Sequence, residues 1–104
     1  MNKTQLRQGD LLISKCLAIP DGMVPVAPKA GRLVLAEGEA TGHNHTVDCM
    51  AAQLFAKGDQ MVMVVGEPTT IQHQEHGAIE IAPGQYWVTR QREYTPAAIV
   101  RVRD

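Results

Sequence analysis

Turn signals cut this 104-residue chain so often that no regular element can run far. Between Ala18 and Gly31 alone stand Pro20, Gly22, Pro25, Pro28 and Gly31. Proline fixes φ and lacks a backbone donor, and glycine favours turns, so only a short extended piece around Val24-Pro25-Val26 fits there. The runs between such breaks are short and rich in aliphatic residues. Leu11-Leu12-Ile13 follows Gly9-Asp10, and Arg32-Leu33-Val34-Leu35-Ala36-Glu37 puts Leu33 and Leu35 on one face. After the bracket of Gly38 and Gly42, His43-Asn44-His45-Thr46-Val47 resumes as an extended segment. Thr69-Thr70-Ile71-Gln72-His73 and Ile79-Glu80-Ile81 come next, then Tyr86-Trp87-Val88-Thr89-Arg90-Gln91-Arg92 after an Ala82-Pro83-Gly84-Gln85 turn. Ile99-Val100-Arg101-Val102 adds a short edge. About eight short strands at close spacing predict an all-β protein, a small, mostly antiparallel β-barrel or sandwich.

Residues 48–57 read in two ways. Val47, Met50, Ala51 and Leu54 fall at helical spacing, with Asp48 placed to cap the start and Gly58 the end. Alternatively, Gln53-Leu54-Phe55-Ala56, a tight turn at Gly58-Asp59 and Gln60-Met61-Val62-Met63-Val64-Val65 form a hairpin. The hairpin is favoured because it completes a sheet, whereas a lone helix of this length is marginal.

The length fits one domain, residues 1–104, with a core of modest size. Hydrophobic residues make up 44%, an ordinary globular share, and aromatics only 4%, so the core must come from Val, Ile, Leu, Met and Ala. Ten basic residues against eleven acidic ones leave no electrostatic footprint for nucleic acid or an anionic membrane. Met1 to Arg7 lacks the apolar stretch of a secretion signal, and no apolar run approaches the length of a membrane span. The expected compartment is therefore the cytoplasm, where Cys16 and Cys49 are expected as reduced thiols.

The four histidines fall in two tight clusters, His43-x-His45 and His73-x-x-His76. Residues i and i+2 of a strand share a face, so His43 and His45 would project side by side. His73 and His76 can converge where a strand enters a turn. Neutral imidazole is the commonest protein ligand for zinc, iron, copper and nickel. The expectation is one mononuclear site for a divalent transition metal, zinc first, with His43, His45, His73 and His76 as candidate ligands. Glu75, inside the second cluster, is a candidate fourth ligand or the base that takes a proton from a metal-bound water, against the plain reading of a solvated turn carboxylate. Cys49 could ligate as thiolate, but its apolar neighbour Met50 favours a buried structural thiol. Glu37 and Glu39 are left outside the ligand set. Arg90-Gln91-Arg92-Glu93-Tyr94 alternates in charge, which suits an exposed edge or one facing a second copy in a homodimer; the less favoured alternative is a grip on an anionic ligand.

The block Gly38-Glu39-Ala40-Thr41-Gly42-His43-Asn44-His45 has the form GE-x-TGH-x-H, and it is followed by His73-Gln74-Glu75-His76-Gly77-Ala78-Ile79, Pro83-Gly84-Gln85-Tyr86 and Gln91-Arg92-Glu93-Tyr94. With these blocks the chain resembles, over roughly residues 8 to 96, a family of short uncharacterised proteins of bacterial and phage genomes. The resemblance implies a shared single-domain design and strand at 48–57, and it brings no activity. A weaker likeness is to cupins, barrels of similar size that hold a metal with an H-x-H pair, a Glu and a later His. Here the H-x-H is present, no Glu occurs between residues 46 and 66, and Trp87 stands about where the later His would be. His73 or His76 would have to substitute, so the likeness is one of architecture.

Three functions compete. A metal-dependent hydrolase or lyase would use an open metal position to act on a small molecule, with Glu75 carrying the proton; iron would open oxygen chemistry. A non-catalytic module would hold the metal as a staple or ligand sensor. A phage or accessory protein would bind a partner, with the histidines incidental.

Overall fold

Burial alternates along residues 11–14, 32–36 and 44–48, and such half-buried strands build two sheets. The computed structural model describes residues 5–37, 44–74 and 76–90. Ten strands follow in order: β1 (Gln5–Gln8), β2 (Leu11–Lys15), β3 (Val24–Pro25), β4 (Arg32–Glu37), β5 (Asn44–Asp48), β6 (Ala52–Lys57), β7 (Gln60–Val65), β8 (Thr69–Gln72), β9 (Ile79–Ile81) and β10 (Gly84–Arg90). The described residues contain no helix. One sheet has the order β1-β2-β10-β7-β6-β3, the other β4-β5-β8-β9. Every strand pairing among the described residues is antiparallel. The sheets do not close on one another, so of the two expected architectures the chain adopts the sandwich-like one.

The hairpin reading of residues 48–57 holds. β6 and β7 pair from Ala52↔Val65 to Lys57↔Gln60, and Gly58 turns between them at φ 59°. Helical spacing at Val47, Met50, Ala51 and Leu54 loses because Met50 is 82% exposed while Leu54 is buried on a strand face. Strand β1 was not expected. Gln5-Leu6-Arg7-Gln8 carries no apolar alternation and is extended only because it pairs along β2, from Gln5↔Ser14 to Gln8↔Leu11. The expected edge at 99–102 lies outside the described residues.

The core lies between the sheets. Leu11, Ile13, Leu54, Met63, Val65 and Val88 of the first sheet meet Leu33, Leu35, Val47, Ile71 and Ile81 of the second. As the aromatic-poor composition requires, it is aliphatic; each fully buried side chain of this kind contributes about 1.5–3 kcal/mol of transfer free energy. One polar ring interrupts it. In β5 the inward positions are His45 and Val47, so the strand period that buries Val47 also buries His45, at 1% exposure.

Candidate metal centre

His45 is aimed by its register. β5 pairs with β4 at Ala36↔His45 and with β8 at Val47↔Ile71, which points the imidazole between the sheets, towards the end where the chain leaves β8. There the segment after β8 brings in His73 and His76. The backbone N–H of Asn44 donates to Oε1 of Gln74 at 2.8 Å, tying that segment to the start of β5. The ring centroids of His45 and His73 are 4.4 Å apart, those of His73 and His76 4.6 Å, and those of His45 and His76 6.2 Å with the planes nearly parallel. Both sequence clusters thus contribute to one group of imidazoles. His45 closes its buried end, His73 is half-buried, and His76 is exposed. His43 and Glu75 lie outside the described residues, as does Glu39.

The turn between β1 and β2 forms the opposite wall, which the histidine pattern did not announce. Gln8 is 2% exposed, and its side-chain amide donates to the carbonyls of Ile71 at 2.9 Å and Gly77 at 2.8 Å. Its Oε1 is therefore the atom that meets Nδ1 of His45, at 2.9 Å. An amide oxygen can only accept, so Nδ1 carries the proton and Nε2 of neutral His45 presents its lone pair. Nε2 faces Oδ1 of Asp10 at 3.3 Å, and the Nε–H of Arg90 donates to Oδ2 of Asp10 at 3.0 Å. Gly9 sits between Gln8 and Asp10 at φ 60°, and a side chain there would begin 2.6 Å from Nε2 of His76. The only sequence signal for this wall was the Gly9-Asp10 turn itself, because polar residues at a hairpin tip are ordinary.

The electrostatics keep a neutral ring beside an anion. Burial is the main cause holding His45 below the ordinary imidazole range; neighbouring His73 and His76 add to it, and Asp10 pulls the other way. Partial burial pulls Asp10 upward. The bond and charge of Arg90, a backbone hydrogen bond and the contact with His45 together outweigh it, so the carboxyl sits below its usual range. Arg90 thus pairs with the chain's own Asp10. Residues 91–94 lie outside the described residues.

His73 is engaged differently. The backbone N–H of His76 donates to Nδ1 of His73 at 3.3 Å, so that nitrogen's lone pair is in use. Among the described residues no group of three or more His, Cys, Asp or Glu side chains is arranged to hold a metal ion. A metal at the centre of the cluster would require the His73 ring to turn or its proton to change nitrogen.

Neither cysteine joins the cluster's hydrogen bonds among the described residues. Both are free thiols; Cys16 is buried and its Sγ donates to the carbonyl of Ala18 at 3.3 Å. Cys49 is only half-buried, packed against the core, which corrects the expectation of a fully buried thiol: the neighbour invoked for it, Met50, points to solvent. Beside His73 a groove of about 500 Å³ runs over the outer face of the second sheet, with Arg32, Asn44, Thr46, Gln72 and Gln74 in its wall. No helix among the described residues is long and apolar enough to cross a membrane.

No curated protein and no solved structure matches the chain. Residues 7–91 match the model of DUF8820, a domain of unknown function, and the chain belongs to that family.

Proposed function

We propose that this domain is a small metalloprotein whose histidines bind one divalent transition metal, zinc first, with iron, copper or nickel as alternatives. The observation that carries the reading is the meeting of His45 with His73 and His76 across 28 residues of sequence, at centroid separations of 4.4 and 6.2 Å. Two further facts support it. The tautomer set by Gln8 leaves Nε2 of His45 without the ring's proton, which is the state a metal-ligating nitrogen requires. The cluster is buried at His45 and open at His76, so a small molecule can approach a bound metal. Such a centre can polarise a carbonyl or lower the pKa of a bound water, which is the chemistry of a metal-dependent hydrolase or lyase acting on a small molecule.

The direct test is elemental analysis of the untagged protein, since a purification tag adds foreign histidines. About one equivalent of transition metal per chain is expected. Less than a tenth of an equivalent, even after reconstitution with zinc, iron, copper and nickel in turn, overturns the reading. Four protein donors and no water on the metal would point to a staple or sensor in place of an enzyme.

A further inference from the structure

The groove beside His73 is walled by the outward side chains of the second sheet. β4 and β5 turn Leu33, Leu35, His45 and Val47 inward, so Arg32, Val34, Asn44 and Thr46 point the other way. Gln72 joins them opposite Thr46. Arg32 stands in this row as a cation without an anion. Its backbone is pinned by the two hydrogen bonds it exchanges with Lys29, and its Nε–H donates to Oγ1 of Thr46 at 3.0 Å. Among the described residues no carboxylate pairs with it, and its Nη2 is buried with no hydrogen-bond partner. A charged N–H shut away from water without an acceptor is costly, and the cost is relieved as soon as an acceptor is offered.

The polar groups around Arg32 are set as donors. Oγ1 of Thr46 accepts from Arg32, which leaves its O–H to donate. Oε1 of Gln74 accepts from the backbone N–H of Asn44, which leaves its amide N–H groups. No Asp or Glu stands among the described residues of the wall. Lys29, the wall's other cation, is itself engaged, which leaves Arg32 as the unmatched charge. Donors around an unmatched guanidinium select an acceptor-rich anion, and the planar fork of arginine matches a carboxylate. A groove of about 500 Å³ has the size of a small-molecule site. We propose that it binds a small organic acid, whose carboxylate takes the terminal nitrogens of Arg32 once the guanidinium end turns into the groove. The site does not rest on the metal reading. His73 belongs both to the groove wall and to the histidine cluster, so a molecule held at Arg32 lies beside the cluster.

Amide-resolved NMR titration of the full, untagged, metal-stripped chain with N-acetylglycine tests this, with N-acetylglycinamide as the neutral counterpart of the same shape. The acid should give saturable shifts at residues 29–34, 44–46 and 72–74, with a dissociation constant of about a millimolar. The neutral amide should bind about tenfold or more weakly, and Arg32→Gln should weaken the acid by as much. Gln74→Glu keeps an acceptor for Asn44 and puts a negative charge in the groove, so it too should weaken the acid by about tenfold. It serves if Arg32→Gln fails to fold, which the same spectrum reports. Three results would each overturn the site: no saturable shift at these residues in wild type, equal affinity for acid and amide, or wild-type affinity in either folded variant. Inorganic phosphate, titrated in the same way, should bind more weakly than the acid; tighter binding would overturn the carboxylate assignment. None of these outcomes touches the metal reading, which elemental analysis decides by itself.

Discussion

Nδ1 of His45 lies 2.9 Å from Oε1 of Gln8, and the amide of the same Gln8 holds the carbonyls of Ile71 and Gly77. One side chain from the edge strand of the first sheet therefore orients the central imidazole and closes the second sheet's β8–β9 connection. The bond is local in space and remote in sequence, 37 residues apart.

Gln8→Leu should destabilise the domain by about 2–4 kcal/mol. It leaves a buried imidazole N–H and two carbonyls without their partner, each costing on the order of 1–3 kcal/mol, partly relieved by water at the open end. Urea unfolding of wild type and variant, each stripped of metal, measures this apart from any ligand effect. A change below about 0.5 kcal/mol would mean the network does not hold the sandwich together.

Chelation should lower the melting midpoint by about ten degrees or more. A ligand that binds only the folded state stabilises it by about 2.7 kcal/mol at a hundredfold excess over its dissociation constant. In a domain of this size 1 kcal/mol moves the midpoint by roughly 4–8 °C. His43→Ala, His45→Ala and His73→Ala should each reproduce most of the loss and then be insensitive to chelator. His76→Ala is the informative variant: it behaves alike only if that exposed ring ligates. A wild-type midpoint indifferent to chelator, once the metal is shown to have left, ends the idea of a shared site.

Glu75 stands in sequence between His73 and His76, and the catalytic version of the function makes it the proton carrier. Glu75→Gln should keep full metal occupancy and lower turnover by about 10²-fold. The check is a panel of activated esters and other small hydrolysable substrates, assayed at equal metal content. Unchanged turnover removes Glu75 from the mechanism.

Tyr86 should make the fold sensitive to alkali. Burial raises its phenol above the ordinary range, and its hydroxyl donates to the carbonyl of Ala82 at 2.7 Å. The fold thus favours the protonated phenol. The stability it contributes is fully present below the unfolded value near about 10 and is lost as pH rises through the higher folded value. Between about pH 9.5 and 11.5 the urea midpoint of wild type should fall more steeply than that of Tyr86→Phe. Parallel curves would show that Tyr86 carries none of the alkaline loss.

Much of the sandwich was legible because its causes are local. Proline and glycine between residues 18 and 31 exclude long elements by sterics alone, and the alternation in residues 32–37 and 79–81 returned β4 and β9 with their bounds. The β6–β7 hairpin was readable because Gly58 supplies the positive φ its turn needs. The convergence of His43 and His45 with His73 and His76 was an assumption that spacing alone cannot reach; the pairing of β5 with β8 brings His45 to His73 and His76, and His43 lies outside the described residues.

What only the tertiary structure decided is the other half of the cluster's surroundings. Gln5 to Gln8 has no pattern of its own and becomes a strand by borrowing the hydrogen bonds of β2. That pairing carries Gln8, Gly9 and Asp10 against the histidines. Whether a glutamine at such a place fixes a tautomer, or an aspartate faces an imidazole, depends on atoms 35 or more residues away, and hydrogen bonds of that range leave no periodicity in a sequence. The sequence by itself determined short strands, an aliphatic core and two histidine clusters, since sterics and burial act on neighbours. The packing of the two sheets decided which nitrogen of His45 faces Asp10, because a proton's position is set by whatever partner the fold brings within 3 Å.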